Sequence, residues 1–278
     1  MTPYINVPTK TIVTPENKTF AYREIGAPSA VPVIGLIHLS GNLDNWDPSV
    51  IDGIAQEHRL ILPDYQGVGG SGGKAAKTIQ GMAQEIREFI HALGLEKIDL
   101  FGFSMGGFVA QEVINQEPSL IRRAILTGTG PRGGQGIRDV TRISDRSLAK
   151  ALVTFTDIKA YLFFTRTPNG KHQAAQFLKR IKSRQTDRDR SIGWSAYRTQ
   201  LKAINQWGSE KPIDFSKLDI PVLVANGDHD IMVPTKPNSY ALDEAFANSQ
   251  LIIYPDAGHA GVFQFADDFI KQVNKFLS

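Results

Sequence analysis

The chain has 278 residues, 41% of them apolar, so it can bury one large core, and one domain with an insertion is favoured over two equal ones. It contains no cysteine, which excludes disulfides, a thiolate nucleophile and a cysteine metal site. The formal charge is only +3, but residues 131–215 hold 17 Lys and Arg against 7 Asp and Glu, so the middle of the chain is a distinct basic region.

No stretch approaches the roughly 18 apolar residues that a membrane-spanning helix needs, so no membrane partner is expected. The first residues, MTPYINVPTKT, lack a basic region followed by an apolar one. They therefore predict no secretory signal, and the cytoplasm is the expected location.

Strand and helix patterns alternate through the first part of the chain. Residues 5–13 and 19–25 are predicted strands around a turn at residues 15–17. The nearly continuous apolar run 31–37 is typical of a strand buried on both faces of a parallel sheet, and it ends in a loop that begins at His38. Another core strand at residues 60–62 precedes a glycine-rich loop, and an amphipathic helix follows over residues 79–93.

The glycine-rich loop, GVGGSG at residues 67–72, fits the G-x-G-x-x-G pattern of dinucleotide sites. Such a site needs an acidic residue at the end of a second strand about 20 residues later, and that position falls inside the predicted helix. The same loop lacks the residues of a phosphate-binding loop, with Val68 in place of Gly and Ala75 in place of Ser or Thr. No cofactor is therefore predicted.

Residues 97–111, KIDLFGFSMGGFVAQ, change from a strand pattern to a helix pattern within GFSMGG. Gly102 to Gly106 fits G-x-S-x-G, in which the serine occupies a strained turn between strand and helix. We therefore expect the Ser104 hydroxyl to project at the carboxyl end of the strand as a nucleophile. The Met105 N–H then lies in the first helical turn, where free donors and the helix dipole favour a developing oxyanion.

After a strand at residues 124–126, the alternation is lost over residues 131–215. Scattered aromatic residues in polar, helix-forming sequence predict a helical insertion there. The cationic run KRIKSR at residues 179–184 is interpreted as a solvated helix face rather than a nucleic-acid site, because aspartates follow it and no aromatic residues interleave with it. Exposed cations are screened within about 8 Å, so the charge predicts only a weak preference for anionic substrates.

The serine needs a base and an acid, and both are expected at the carboxyl ends of later strands. The strand at 222–225 is followed by NGDHDIMVP, which offers Asp228 and Asp230. A helix near residues 239–247 and a strand at 251–254 come next, followed by PDAGHAG with His259, and a final helix carries apolar residues between 263 and 276. The order of nucleophile, acid and base is that of α/β-hydrolases.

On these motifs the whole chain resembles α/β-hydrolase-fold enzymes of the esterase, lipase and cofactor-free haloperoxidase group. The resemblance implies a mostly parallel central sheet flanked by helices, with a core of residues 1–130 and 216–278 and a helical cap, 131–215, inserted after the sixth strand. Because the strand and helix pattern is complete without the cap, its replacement by a short linker is expected to leave a folded core.

The resemblance also assigns roles to residues. The family pattern G-x-x-D-x-x-x-P matches residues 227–234, which makes Asp230 the acid, and the Gly258-His259 pair matches the base. The pattern D-x-x-G-x-G-x-S matches Asp64, Gly67, Gly69 and Ser71, which are expected to be structural. The usual H-G-x of the oxyanion loop is replaced by His38-Leu39-Ser40. Ser40 is therefore the predicted second oxyanion donor beside Met105, with Leu39 as the alternative.

A serine at the elbow disfavours dehalogenases and epoxide hydrolases, which resemble each other in using aspartate there. The predicted function is hydrolysis of a small carboxylic ester through an acyl-enzyme on Ser104. Perhydrolase or haloperoxidase activity, C–C bond hydrolysis and aminopeptidase activity stay open on the same triad, as does a receptor or regulatory module that keeps the triad. No metal and no nucleic-acid partner are expected, and the sequence leaves the natural substrate and the oligomeric state open.

Overall fold

The computed structural model describes all 278 residues, Met1 to Ser278. One sheet contains eight strands in the order β1-β2-β4-β3-β5-β6-β7-β8. The first two pairings, β1 with β2 and β2 with β4, are antiparallel, and the remaining pairings are parallel. This mostly parallel sheet is the predicted fold class. The strands are β1 (Lys10–Val13), β2 (Thr19–Ile25), β3 (Val33–Leu36), β4 (Leu60–Pro63), β5 (Ile98–Phe103), β6 (Ile121–Thr127), β7 (Val222–Gly227) and β8 (Ser249–Tyr254).

Helices flank the sheet, and four of them, α4 to α7, lie between β6 and β7, where the insertion was predicted. None of the helices combines the length and the apolar character that crossing a bilayer requires. The helices are α1 (Pro48–Ile54), α2 (Ile79–Ala92), α3 (Met105–Gln116), α4 (Val140–Thr154), α5 (Ile158–Leu162), α6 (Pro168–Ile181), α7 (Trp194–Trp207), α8 (Thr235–Ala245), α9 (Gly261–Gln264) and α10 (Ala266–Leu277).

The prediction of a strand over residues 5–13 is wrong in its first half. Residues Tyr4–Asn6 form a 3₁₀ turn, and the strand begins only at Lys10. Tyr4 explains the difference, because its amide donates to Asp52 at 2.7 Å and its hydroxyl donates to the Leu43 carbonyl at 2.6 Å. Both contacts hold this segment against α1 and the preceding loop, away from the sheet edge.

The hydrophobic core runs without interruption from the sheet into the insertion. Phe177 of α6 stacks on Phe263 of α9 with ring centroids 5.5 Å apart. Trp207, at the end of α7, lies 4.4 Å from the ring of Phe108 on α3. The insertion therefore covers apolar surface on the carboxyl side of the sheet, where the elbow lies.

A few basic side chains of the insertion contact the core. Arg180 binds the fully buried carboxylate of Asp47 at 2.6 Å. Arg184 is only 5% exposed and donates to backbone carbonyls of the N-terminal segment. The interpretation of residues 179–184 as a solvated helix face is therefore wrong for these two arginines and holds for Lys179 and Lys182, which are exposed.

Glu112 fixes both ends of the insertion to α3. Its buried Oε1 accepts hydrogen bonds from Nη1 of Arg132 at 3.1 Å and from Nε1 of Trp207 at 2.7 Å. Because Arg132 lies at the start of the insertion and Trp207 at the end of its last helix, one core carboxylate contacts the insertion near both of its ends.

Candidate active site

The turn between β5 and α3 has the geometry that G-x-S-x-G requires. Ser104 has φ +59° and ψ −119°, a backbone conformation that residues other than glycine rarely adopt. A Cβ on Gly102 would lie 2.6 Å from the carbonyl oxygen of Gly106, and a Cβ on Gly106 would overlap the carbonyl oxygen of Leu36. Gly102 therefore lets β5 approach α3, and Gly106 lets α3 approach the end of β3, so that the serine is held in its strained turn.

Ser104, His259 and Asp230 lie in one hydrogen-bonded chain. His259 Nε2 is 2.7 Å from Ser104 Oγ, and His259 Nδ1 is 2.7 Å from Asp230 Oδ2. An ionised carboxylate only accepts hydrogen bonds, so Nδ1 carries the proton and Nε2 is free to accept the serine hydroxyl. All three side chains are buried, the serine being the most exposed at 8%. The structure thus brings together the three residues predicted for the triad.

The two carboxylates of the loop after β7 have different surroundings. Oδ1 of Asp230 accepts from the amides of Met232 at 2.7 Å and Val233 at 3.0 Å, which leaves Oδ2 for the histidine. Asp228 is instead partly exposed and contacts Nδ1 of the exposed His229 at 2.6 Å. Its bond to His229 lowers the pKa of Asp228. Only Asp230 therefore contacts the base at position 259.

The predicted oxyanion donors are arranged differently from one another. Met105 is the first residue of α3, so no earlier helical carbonyl can accept its N–H. The Ser40 amide, in contrast, donates to Oε1 of Gln200 on α7 at 2.9 Å, and Ser40 has a left-handed φ of +61°. The Leu39 amide makes no hydrogen bond. Of the two loop amides considered from the sequence, Leu39 is thus the one left free.

His38 is a buried neutral side chain beside the triad. Its Nδ1 donates to the Leu39 carbonyl at 2.7 Å, and its ring packs edge-on against Phe103 and Phe163. Burial, reinforced by the positive charge of Lys159, lowers the pKa of His38 to about 3. It therefore stays uncharged at neutral pH.

A cavity of about 200 Å³ opens at the serine and is lined by Ser104, His259, His38 and Ser40 together with residues of the insertion. This volume is smaller than the roughly 300–1,000 Å³ of pockets for drug-sized ligands, so it suits a small substrate. The insertion contributes mostly apolar or aromatic side chains to the lining, together with one serine and one lysine. They are Ser144, Leu148, Ile158, Lys159, Leu162, Phe163, Ile192, Trp194 and Tyr197.

Two residues of the insertion that support the site were missed from the sequence. Gln200 holds the Ser40 amide, and the Phe163 carbonyl accepts the Ala260 amide, next to the base, at 3.0 Å. Neither residue belongs to a motif, and each lies far along the chain from its partner. No group of three or more His, Cys, Asp or Glu side chains in the structure is arranged to hold a metal ion.

A family model described as alpha/beta hydrolase fold matches residues 33–266. A protein from Rhizobium rhizogenes, provisionally named carbamate hydrolase RutD, is 23% identical over 93% of this chain and 97% of its own length. A protein from Synechocystis, provisionally named non-heme chloroperoxidase, is 27% identical over 92% of both chains. The solved structure of an alpha/beta hydrolase fold protein from Chitinophaga pinensis superposes with a TM-score of 0.92 and 32% identity, over 100% of this chain and 99% of that one.

Proposed function

We propose that this chain, which belongs to the alpha/beta hydrolase fold family, is a serine hydrolase that cleaves a small carboxylic ester through an acyl-enzyme on Ser104. The observation that carries the proposal is the hydrogen-bonded chain from Ser104 through His259 to Asp230, at the end of a small and mostly apolar cavity. This arrangement supplies a nucleophile, a base in the correct tautomer and an acid that orients it.

In the proposed reaction, Ser104 Oγ attacks the ester carbonyl while His259 Nε2 takes its proton. Asp230 stabilises the imidazolium that results. The imidazolium then protonates the departing alcohol as the carbonyl–oxygen bond breaks, which leaves the acyl group on the serine. Water enters, gives a proton to His259 and attacks the acyl group. The imidazolium then returns this proton to Ser104 Oγ as the acyl–serine bond breaks, which releases the acid and restores the serine hydroxyl and the neutral histidine.

The oxyanion formed in both halves of the reaction needs two donors. We assign them to the amides of Met105 and Leu39, the second of which replaces Ser40 because the Ser40 amide is bound to Gln200. Each donor would contribute on the order of 3 kcal/mol to stabilisation of the transition state.

The test is hydrolysis of nitrophenyl esters in a series from acetate to palmitate. The small cavity predicts that short acyl chains have the highest kcat/KM. Ser104→Ala and His259→Ala should each lower turnover by at least about 10³-fold, because triad members act as a unit. Retention of half the activity in either variant would remove the assignment of that residue.

Perhydrolysis is the second candidate, because a similar protein is provisionally named a non-heme chloroperoxidase. Peroxide would then replace water in the attack on the acyl-enzyme, and the product would be a peracid. The decisive measurement is partition of one acyl-enzyme between water and hydrogen peroxide, followed by titration of peracid. A carbamate substrate, suggested by the similarity to RutD, belongs in the same assay as an alternative acyl donor.

A further inference from the structure

Lys159 is the only lysine, arginine, aspartate or glutamate among the side chains that line the cavity of Ser104. It is the second residue of α5 in the insertion, and its side chain is 21% exposed. The rest of the lining has no carboxylate, ammonium or guanidinium group, and His38 is uncharged at neutral pH. A single cationic side chain therefore borders a mostly apolar space that also contains the nucleophile.

The ammonium group of Lys159 has no hydrogen-bond acceptor in the protein. Its nearest carboxylate oxygen, Oδ1 of Asp157, is 3.9 Å away. The other oxygen of that carboxylate lies 3.3 Å from Nζ of Lys182, which is 58% exposed and does not line the cavity. Asp157 is thus shared between two lysines. A lysine has three donors, and those of Lys159 are available to a ligand.

Lys159 also acts electrostatically on the cavity wall. Its charge adds to burial in lowering the pKa of His38, whose side chain borders the same space. Inside a cavity with apolar walls, a charge is screened less than at the surface, so a bound anion would gain more than from the exposed lysines of the insertion.

We propose that Lys159 binds a carboxylate of the substrate, so that the preferred substrates are small esters that carry a free carboxylate. This inference rests on the proposed ester hydrolysis and adds the charge of the substrate to it. The carboxylate would receive charge-assisted hydrogen bonds from Nζ while the ester carbonyl lies at Ser104.

The experiment compares two matched pairs of esters that differ in charge and hardly in shape. In the first pair, monomethyl succinate carries a carboxylate on the acyl side, and methyl isocaproate carries an isopropyl group in its place. In the second pair, acetoxyacetate carries the carboxylate on the alcohol side, and isobutyl acetate carries the isopropyl group there. In at least one pair, the charged ester should have a kcat/KM about 10- to 100-fold higher than the neutral one, the range expected for a hydrogen bond to a charged group.

Lys159→Met should reduce the ratio of kcat/KM for the charged ester to kcat/KM for the neutral ester by about the same factor. Lys159→Arg should retain part of this preference. Lys182→Met is the matched control, because Lys182 pairs with the same Asp157 from outside the cavity. If Lys159 acted only by neutralising Asp157, both methionine variants would change the ratio alike. An equal ratio in the wild type and Lys159→Met, with thermal unfolding unchanged, would overturn the inference.

A binding measurement separates failure of this inference from failure of the proposed function. Succinate should bind the Ser104→Ala variant in calorimetry, and at least about tenfold more weakly when Lys159→Met is added. If neutral esters are hydrolysed without any preference for charge and succinate does not bind, the inference fails and the esterase proposal stands. If no ester is hydrolysed, the esterase proposal fails and the succinate titration alone decides whether Lys159 forms an anion site.

Discussion

The loop after β7 shows how two carboxylates two residues apart take different positions. Asp230 is buried and its two oxygens are divided between backbone amides and His259. Asp228 is partly exposed and its Oδ1 contacts His229 and the Ala257 amide. At the scale of a residue, the hydrogen bond to the base therefore decides which carboxylate can act in the proposed reaction.

We predict that Asp230→Asn lowers kcat by about 10⁴-fold, because an amide that donates to the histidine would favour the wrong tautomer of the ring. Asp228→Asn should change kcat by far less, since Asp228 has no contact with His259. The kcat of each variant is measured with nitrophenyl acetate, after thermal unfolding has shown that the two variants are equally stable. The opposite ranking would move the acid from position 230 to position 228.

Helix α7 of the insertion supports the loop that follows β3. Gln200 is fully buried, its Oε1 accepts the Ser40 amide, and its Nε2 has no partner in the protein. Because Ser40 is held at φ +61°, this contact fixes a conformation that the loop would not favour on its own. The neighbouring Leu39 amide is the donor that we assign to the oxyanion.

We predict that Gln200→Met lowers kcat by about 10- to 100-fold with little change in KM, since a displacement of about 1 Å at the oxyanion loop weakens stabilisation of the transition state. Gln206→Met on the same helix is the control, because Gln206 is far less buried and contacts only Glu210 through its side chain. Equal kcat values for the two variants would show that the Ser40 contact has no role in turnover.

A second contact joins the insertion to the loops of the sheet. Asp64, after β4, and Asp189, between α6 and α7, both accept the Leu43 amide, at 3.1 and 3.2 Å. Burial, together with the adjacent Asp189 carboxylate, raises the pKa of Asp64 well above its usual range. The folded protein therefore keeps a proton on Asp64 up to a higher pH than the unfolded chain does.

The raised pKa of Asp64 predicts how the free energy of unfolding depends on pH. The contribution of Asp64 to this free energy is complete below the usual aspartate pKa. It is lost as the pH rises through the raised pKa, by up to about 1.4 kcal/mol per pH unit. The free energy of unfolding of Asp64→Asn should lack this decline, whereas Asp219→Asn, an exposed control, should keep it. Parallel pH profiles for the wild type and Asp64→Asn would contradict the prediction.

At the scale of the whole molecule, the insertion and the sheet share one apolar core. Phe108 lies under Trp207, and Phe263 lies under Phe177. Some basic residues of the insertion pair with acidic residues of the core, as Arg180 does with Asp47 and Arg132 with Glu112. These ion pairs join the insertion to the core.

The aromatic contacts between the insertion and the core bear on the expectation that the core folds when a short linker replaces residues 131–215. The structure predicts that replacing them with a short linker gives an aggregating protein, because the rings of Phe108 and Phe263 would be exposed as an apolar patch. Gel filtration and thermal unfolding check this prediction. A monomer that unfolds cooperatively near the temperature of the full chain would restore the expectation of an independent core.

The sequence by itself determined the parts of this protein that depend on neighbouring residues. The elbow around Ser104 is set by local steric limits on glycine and serine, and the strand ends that carry Asp230 and His259 are set by short apolar runs followed by turn residues. These patterns repeat over a few residues, so they can be recognised without knowing the fold. For the same reason the α/β alternation and the place of the insertion could be predicted.

Only the tertiary structure decided which distant groups meet. It placed Gln200 against Ser40, turned Arg180 and Arg184 from a presumed solvated face towards the core, and directed the uncharged His38 and the charged Lys159 into one cavity. It also held Tyr4 away from the sheet edge. Such contacts join residues that are tens to nearly two hundred positions apart, and their formation depends on how whole helices pack rather than on any local pattern.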